Sequence, residues 1–334
     1  MCARLLVASL PARGDDHRDD ANHNDRARSR CAADGNRSRY DAVPTRHYFD
    51  PRHDCRRILA ACADPTPTAA GPGVVTPSLD RAGDAPGTHR QYGTPIKLGN
   101  GKARSYVVLN SGVPVEVGVA LDESALNGLR PPMPPMGGDP NGGGEHAHVD
   151  MDRYSLAMPA QNPTPYEFIE LDWNPAGHEP ENIYTIPHFD FHFYKIAVAE
   201  RDAIVPSDPA FMTKSANVPA DEFMPAFAFS PPPRVAIPQM GVHWVDIRTP
   251  ELQPPPNNKR FTSTFINGTY NGAVIFQEPM ITREFILSKP NVTLQIPVAA
   301  RVTPAGYYPS AYSITYDEQA KEHRIALTQL EWRN

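Results

Sequence analysis

The sequence predicts an all-β fold, a mainly antiparallel sandwich or barrel with a few short helices, and three observations predict it. Its 334 residues include 38 prolines and 22 glycines, which break long helices and favour short strands joined by turns. Apolar residues alternate at period two in several segments, as they do on a strand with one buried face. The stretches that could turn helical, AERDAI, PADEFMPAFA and ITREFILS, each supply a turn or two, short of an average helix.

Structured sequence is expected from about Tyr92. SYVVLNSGVPVEVGVALDE sets Val113, Val115, Val117 and Val119 on alternate positions and reads as a hairpin turned at Ser111-Gly112. GLRPPMPPMGGDPNGGGEHAH follows, and its prolines and glycines predict an irregular, mobile loop or lid. Further strands are expected at Pro165 to Asp172, Tyr184 to Ile196, Val242 to Ile247, Phe261 to Tyr270, Ala273 to Gln277 and Val292 to Ala299, with a last hairpin from Tyr312 to Trp332. FTSTFINGTYNG is a hairpin turned at Asn267-Gly268 or at Asn271-Gly272. These segments fit a single β-rich domain over residues 92–334, with function carried on its loops.

The chemistry concentrates in PHFDFHFY, residues 187–194. On a strand His188, Asp190 and His192 share one face, and Phe189, Phe191 and Phe193 share the other. Residues two apart lie roughly 6.5–7 Å from each other along a strand, close enough for their side chains to close on one ion; residues four apart do not. Asp190 is therefore expected to join one histidine or to orient it, and further ligands must come from elsewhere. His243 in MGVHWVD, Glu278 in FQEPMIT and His178 in WNPAGHEP are the candidates, with His146 and His148 in the glycine-rich loop. Histidines and carboxylates make a borderline nitrogen and oxygen site for a divalent transition metal, zinc first, then iron, manganese or copper. Glu278 and Asp190 are the candidate proton acceptors if a bound water is activated. The competing reading is structural: an imidazole and carboxylate row on the wet face of an antiparallel strand, needing no ion.

The first ninety residues differ in kind. Residues 1–91 are rich in Arg, Asp, Ala and His, lack lysine and show no apolar period. This predicts a disordered region, or one read from a misplaced translation start. All four cysteines, Cys2, Cys31, Cys55 and Cys62, lie here, so the body carries no disulfide framework and no thiolate metal site. Leu59-Ala60-Ala61-Cys62 has the form of a bacterial lipobox, with a Pro/Thr/Ala/Gly tether after it, and makes Cys62 a candidate lipid anchor. The apolar run before it is shorter than a signal peptide needs. A net charge of −6 without a basic stripe in the body argues against nucleic acid as a partner.

LDWNPAGHEP, PHFDFHFY, PQMGVHWVD, FTSTFINGTYNG and EPMIT, in this order, resemble a family of bacterial extracytoplasmic proteins defined by a domain of unknown function. The resemblance spans roughly Tyr92 to Trp332. It implies an exported β-rich protein, periplasmic or anchored in the envelope, and implies no reaction. Two functions follow as expectations. One is an envelope protein whose His188, Asp190, His192, His243, Glu278 and His178 form a metal pocket, with metal-assisted hydrolysis or hydration of an unidentified small molecule as its chemistry. The other is a non-catalytic binding or assembly module of the envelope, with a homo-oligomer as one expected form.

Overall fold

A computed structural model of the chain describes residues 76–77, 87–133 and 150–334, all within one compact unit, residues 70–334. The amino-terminal region with the Cys62 lipobox, and His146 and His148, lie outside the described residues.

The strands run in chain order as β1 (Thr76–Pro77), β2 (Thr88–Tyr92), β3 (Ile96–Leu98), β4 (Gly101–Asn110), β5 (Val113–Asp122), β6 (Asp152–Ala157), β7 (Phe168–Asn174), β8 (His188–Tyr194) and β9 (Ala228–Phe229). They continue as β10 (Val242–Asp246), β11 (Ser263–Tyr270), β12 (Ala273–Thr282), β13 (Val292–Gln295), β14 (Gly306–Tyr308), β15 (Ala311–Asp317), β16 (Glu322–Thr328) and β17 (Glu331–Arg333). The helices are brief: α1 (Val198–Asp202), α2 (Phe211–Ala216) and α3 (Arg283–Leu287). The all-β expectation holds, and every strand pairing is antiparallel.

One sheet has the order β1-β13-β15-β16-β5-β4-β2, with β3 on β4; a second has β6-β7-β8-β12-β11-β10-β9; β14 and β17 form a small third. The β4–β5 hairpin turns at Ser111 and Gly112, both at positive φ, as the sequence predicts. The β11–β12 hairpin turns at Asn271 and Gly272, the second of the two candidate turns, and Gly268 instead lies inside β11.

Alternation explains how the sheets meet. Phe189, Phe191 and Phe193 of β8, with Ile169, Leu171 and Trp173 of β7, join Val107, Val117, Val119, Leu121, Ile325 and Leu327 of the first sheet in one apolar cluster. Because β8 sits between β7 and β12, both its edges are paired, with a gap in the β12 ladder at Phe191 and His192, and all seven of its residues are buried. The wet-face reading of PHFDFHFY is thereby overturned. His188 and His192 are 0% exposed and Asp190 is 3% exposed, because the loop at residues 175–187 and the segment between β8 and β10 cover that face.

Gly268 shows how tightly the covered face is filled. A Cβ at this position would lie 2.0 Å from the ring of Phe276, the residue opposite it on β12. That ring packs edge-on to His192 and His243, at centroid distances of 4.9 and 5.4 Å. Gly268→Ala is expected to cost about 1–3 kcal/mol through overpacking, and Phe191→Ala about 3–5 kcal/mol through a core cavity. Denaturant melts of both variants check this, and only Gly268→Ala should also disturb the two imidazoles, read as their NMR shifts.

Candidate metal centre

The site is the outward face of three adjacent strands. β7 contributes Glu170, Asp172 and Asn174, which pair across the ladder with His192, Asp190 and His188 of β8. On the other side, β12 presents Glu278, in register with His192. His243 enters from β10, where it faces Gly268; the missing side chain there opens the way toward Phe276 and Glu278.

His178 arrives on the loop after β7. Gly177 holds φ +73°, and a Cβ there would lie 2.2 Å from the Tyr184 carbonyl oxygen, so only glycine lets the loop fold back this closely. The fold-back seats the His178 ring against His188, centroids 4.7 Å apart.

The structure brings all six expected residues onto this face, but as two triads and not one set. In the first, His178, His188 and Asp190 offer ligand atoms within 4.8 Å of one another; in the second, His192, His243 and Glu278 do the same. The six residues of the sequence reading therefore group their ligand atoms in threes. The physical reason was already in the strand geometry: His188 and His192 stand four residues apart, too far to share an ion on a straight strand. Each triad is two histidines and one carboxylate, a donor set that leaves coordination positions open on a metal. Glu278 and Asp190, expected as proton acceptors, are the carboxylate of each triad.

In the first triad the tautomers are fixed by the backbone. Nδ1 of His188 lies 2.6 Å from the Ile186 carbonyl oxygen, and Nδ1 of His178 lies 2.7 Å from that of Glu179. A carbonyl can only accept, so Nδ1 carries the proton in each ring and Nε2 is left for the interior. Those Nε2 atoms stand 3.2 and 3.6 Å from the Asp190 oxygens. In a neutral ring, Nε2 turns a lone pair toward a carboxylate, an arrangement that needs a cation between them: a proton or a metal. Asn174 Nδ2 donates to Asp190 Oδ2 at 2.7 Å and holds the carboxylate in place. Burial raises the Asp190 pKa, but the His188 and His178 imidazoles outweigh it and hold the group well below the usual carboxylate range. For His178 burial works downward and Asp190 works upward, with a net rise.

In the second triad one oxygen faces two rings. Glu278 Oε2 lies 3.5 Å from His192 Nε2 and 3.6 Å from His243 Nε2, and no hydrogen bond reaches that oxygen. These separations exceed hydrogen-bond length and approach the ~3.3–3.5 Å edge of a tetrahedron drawn around zinc with bonds of about 2.0–2.1 Å. Burial, then the charges of Asp190 and Asp172, push Glu278 well above the usual carboxylate range. Asp172 Oδ2 lies 3.8 Å from His192 Nδ1, on the side away from Glu278 and beyond hydrogen-bond length.

Sequence reasoning missed Glu170, Asp172, Asn174, Arg153 and Arg201. The signal was present in FIELDWN, which alternates as strictly as the strand beside it. Glu170, Asp172 and His192 form a third group of ligand type. Guanidinium groups already serve its carboxylates: Arg153 Nε stands 3.1 Å from Glu170 and 3.4 Å from Asp172, and Arg201 donates to Glu170.

The fold and site thus define a β protein of two large sheets and a small third, with a buried histidine and carboxylate face. A family model described as TTHB210-like, hypothetical protein TTHB210, matches residues 110–173. The match covers β5 through most of β7, including Glu170 and Asp172, and stops short of both triads. No curated protein and no solved structure matches the chain.

The shifts set a pH dependence for the metal-free protein. Glu278 has a raised folded pKa, so above its ordinary value near 4.5 the unfolded state ionises first and stability falls as pH rises. The raised His178 pKa acts in the same sense: its stabilisation is complete below about 6.5 and is lost as pH rises through the folded value. His323, lowered by burial to about 4, and Lys195, lowered to about 7, act in the opposite sense, so the test is differential: between pH 5 and 8, chelator-treated Glu278→Gln is expected to lose less or gain more melting temperature than the chelator-treated parent, measured by calorimetry.

Proposed function

We propose that the chain is a divalent-metal-binding β protein of the bacterial cell envelope, zinc the foremost ion, with one ion in each triad. The observation that carries this reading is the second triad: a fully buried Glu278 oxygen, reached by no hydrogen bond, equidistant from two imidazole Nε2 atoms. Such a group is expensive to bury without a compensating cation. The first triad supports it independently, since both rings turn Nε2 toward Asp190 with Nδ1 engaged on a carbonyl.

Bound zinc would polarise a water for hydrolysis or hydration. Within the chain, Asn174 would orient Asp190, and Glu278 and Asp190 would be ligands before they were bases. Only His178 and His243 reach the surface, with side chains 14% and 21% exposed, so a substrate would approach from their side. The burial of the other four favours a second reading, a non-catalytic envelope module in which the ions hold the fold. An envelope location is supported by the Leu59-Ala60-Ala61-Cys62 sequence and by a body without cysteine, with lipid on Cys62.

The test is metal content of the full chain, purified without a histidine tag and equilibrated with zinc. About two ions per chain are expected, and His188→Ala and His243→Ala should each remove about one. A chain that takes up no zinc, and whose melting temperature zinc leaves unchanged, contradicts the reading. A hydrolase activity lost to chelator and restored by zinc would select the catalytic form over the structural one.

A further inference from the structure

A separate cavity of about 90 Å³, open to solvent, shares no residue with the triads. It lies beyond the end of β8, where Lys195 follows Tyr194, and is walled by β11, β12 and residues 297–309. Asn267 and Gln277, the polar side chains those strands contribute, pair with each other and lie in register with Phe193, so they occupy the core-side face of the sheet, opposite Glu278.

The chemistry of the wall is one-sided. Lys195, Arg301 and Arg333 line it, and no Asp or Glu side chain is among the lining residues. Lys195 Nζ donates to the Thr303 carbonyl oxygen at 3.2 Å, and Arg333 Nη2 to that of Ala299 at 2.5 Å; these are neutral acceptors that leave the positive charge uncompensated. Gln277 Oε1 accepts from the Tyr166 hydroxyl, which leaves its amide N–H groups as donors to the cavity. The rest of the lining is largely apolar, with Phe223, Val298 and Tyr308 prominent. Burial pushes the Lys195 ammonium down to about 7, as befits a cation with no counter-anion nearby.

We propose that this cavity is a binding site for a small organic carboxylate, its anionic end held by Lys195 with Arg301 and Arg333 and its apolar end against Phe223 and Val298. A wall of donors and cations without an acid selects an anion, and the apolar share of the lining selects an organic one over inorganic phosphate. One water needs roughly 10–15 Å³ of such space, so a cavity of about 90 Å³ has room for a ligand of several carbons.

Calorimetric titration of the full chain with hexanoate, neutral hexanamide and inorganic phosphate tests this. Hexanoate should saturate one site, and hexanamide and phosphate should each bind about tenfold more weakly or worse. Lys195→Met should weaken hexanoate by about tenfold while leaving the melting temperature unchanged or higher, and Lys195→Arg should retain most of the affinity. Because carboxylates also ligate metals, the titration is repeated with chelator-treated protein and with Glu278→Gln, where hexanoate binding should persist. Equal binding of hexanoate and hexanamide, phosphate binding as tight as hexanoate, an unchanged Lys195→Met variant, loss of binding with chelator, or no saturation by about 10 mM would each overturn the proposal.

Discussion

The structure depends on one constraint: the pleat of β8, a strand with no free edge. Alternation sends Phe189, Phe191 and Phe193 into the apolar core and must therefore send His188, Asp190 and His192 to the other face. On an edge strand or an uncovered sheet that face would be wet and the row unremarkable. Here β7 and β12 flank the strand and loops lie over it, so the packing that stabilises the sandwich also buries ionisable groups.

Burial turns the row into an electrostatic problem with limited solutions. Four carboxylates, Glu170, Asp172, Asp190 and Glu278, share the face with two guanidiniums, Arg153 and Arg201. The guanidiniums stand at the Glu170 and Asp172 end, leaving Asp190 and Glu278 each with two imidazoles. The opposite displacements of these two acids from the ordinary carboxylate range follow from their partners. Asp190 faces imidazoles, which hold its pKa down; Glu278 is buried beside other acids, which push its pKa up. A divalent cation in each triad, as proposed, would offset the carboxylate there and take imidazole nitrogens as ligands.

Much of this was legible in the sequence because period-two alternation is a local signal. It located β8, β10 and β11 to within a few residues, and it separated the phenylalanine face from the histidine face of residues 187–194. It also showed that His188 and His192 could not easily share an ion. What it lacked was register. Nothing local says that Glu278 lies beside His192 or that Gly268 clears a path for His243; those relations exist only once β12 pairs with β8 and β10 with β11. Burial was illegible for the same reason, because a strand's position within its sheet is set by the other strands. Short elements such as β6 and α2 escaped because DRYSLA and FMTKSA carry too few residues for either period to stand out.

X-ray absorption at the zinc edge, on the zinc-loaded full chain, tests the central claim most directly. The account predicts a first shell of nitrogen and oxygen at about 2.0–2.1 Å, with outer-shell scattering from about two imidazoles per zinc. A shell of water oxygens alone, without imidazole scattering, would show that the histidines of β8 hold no ion and that their burial serves packing.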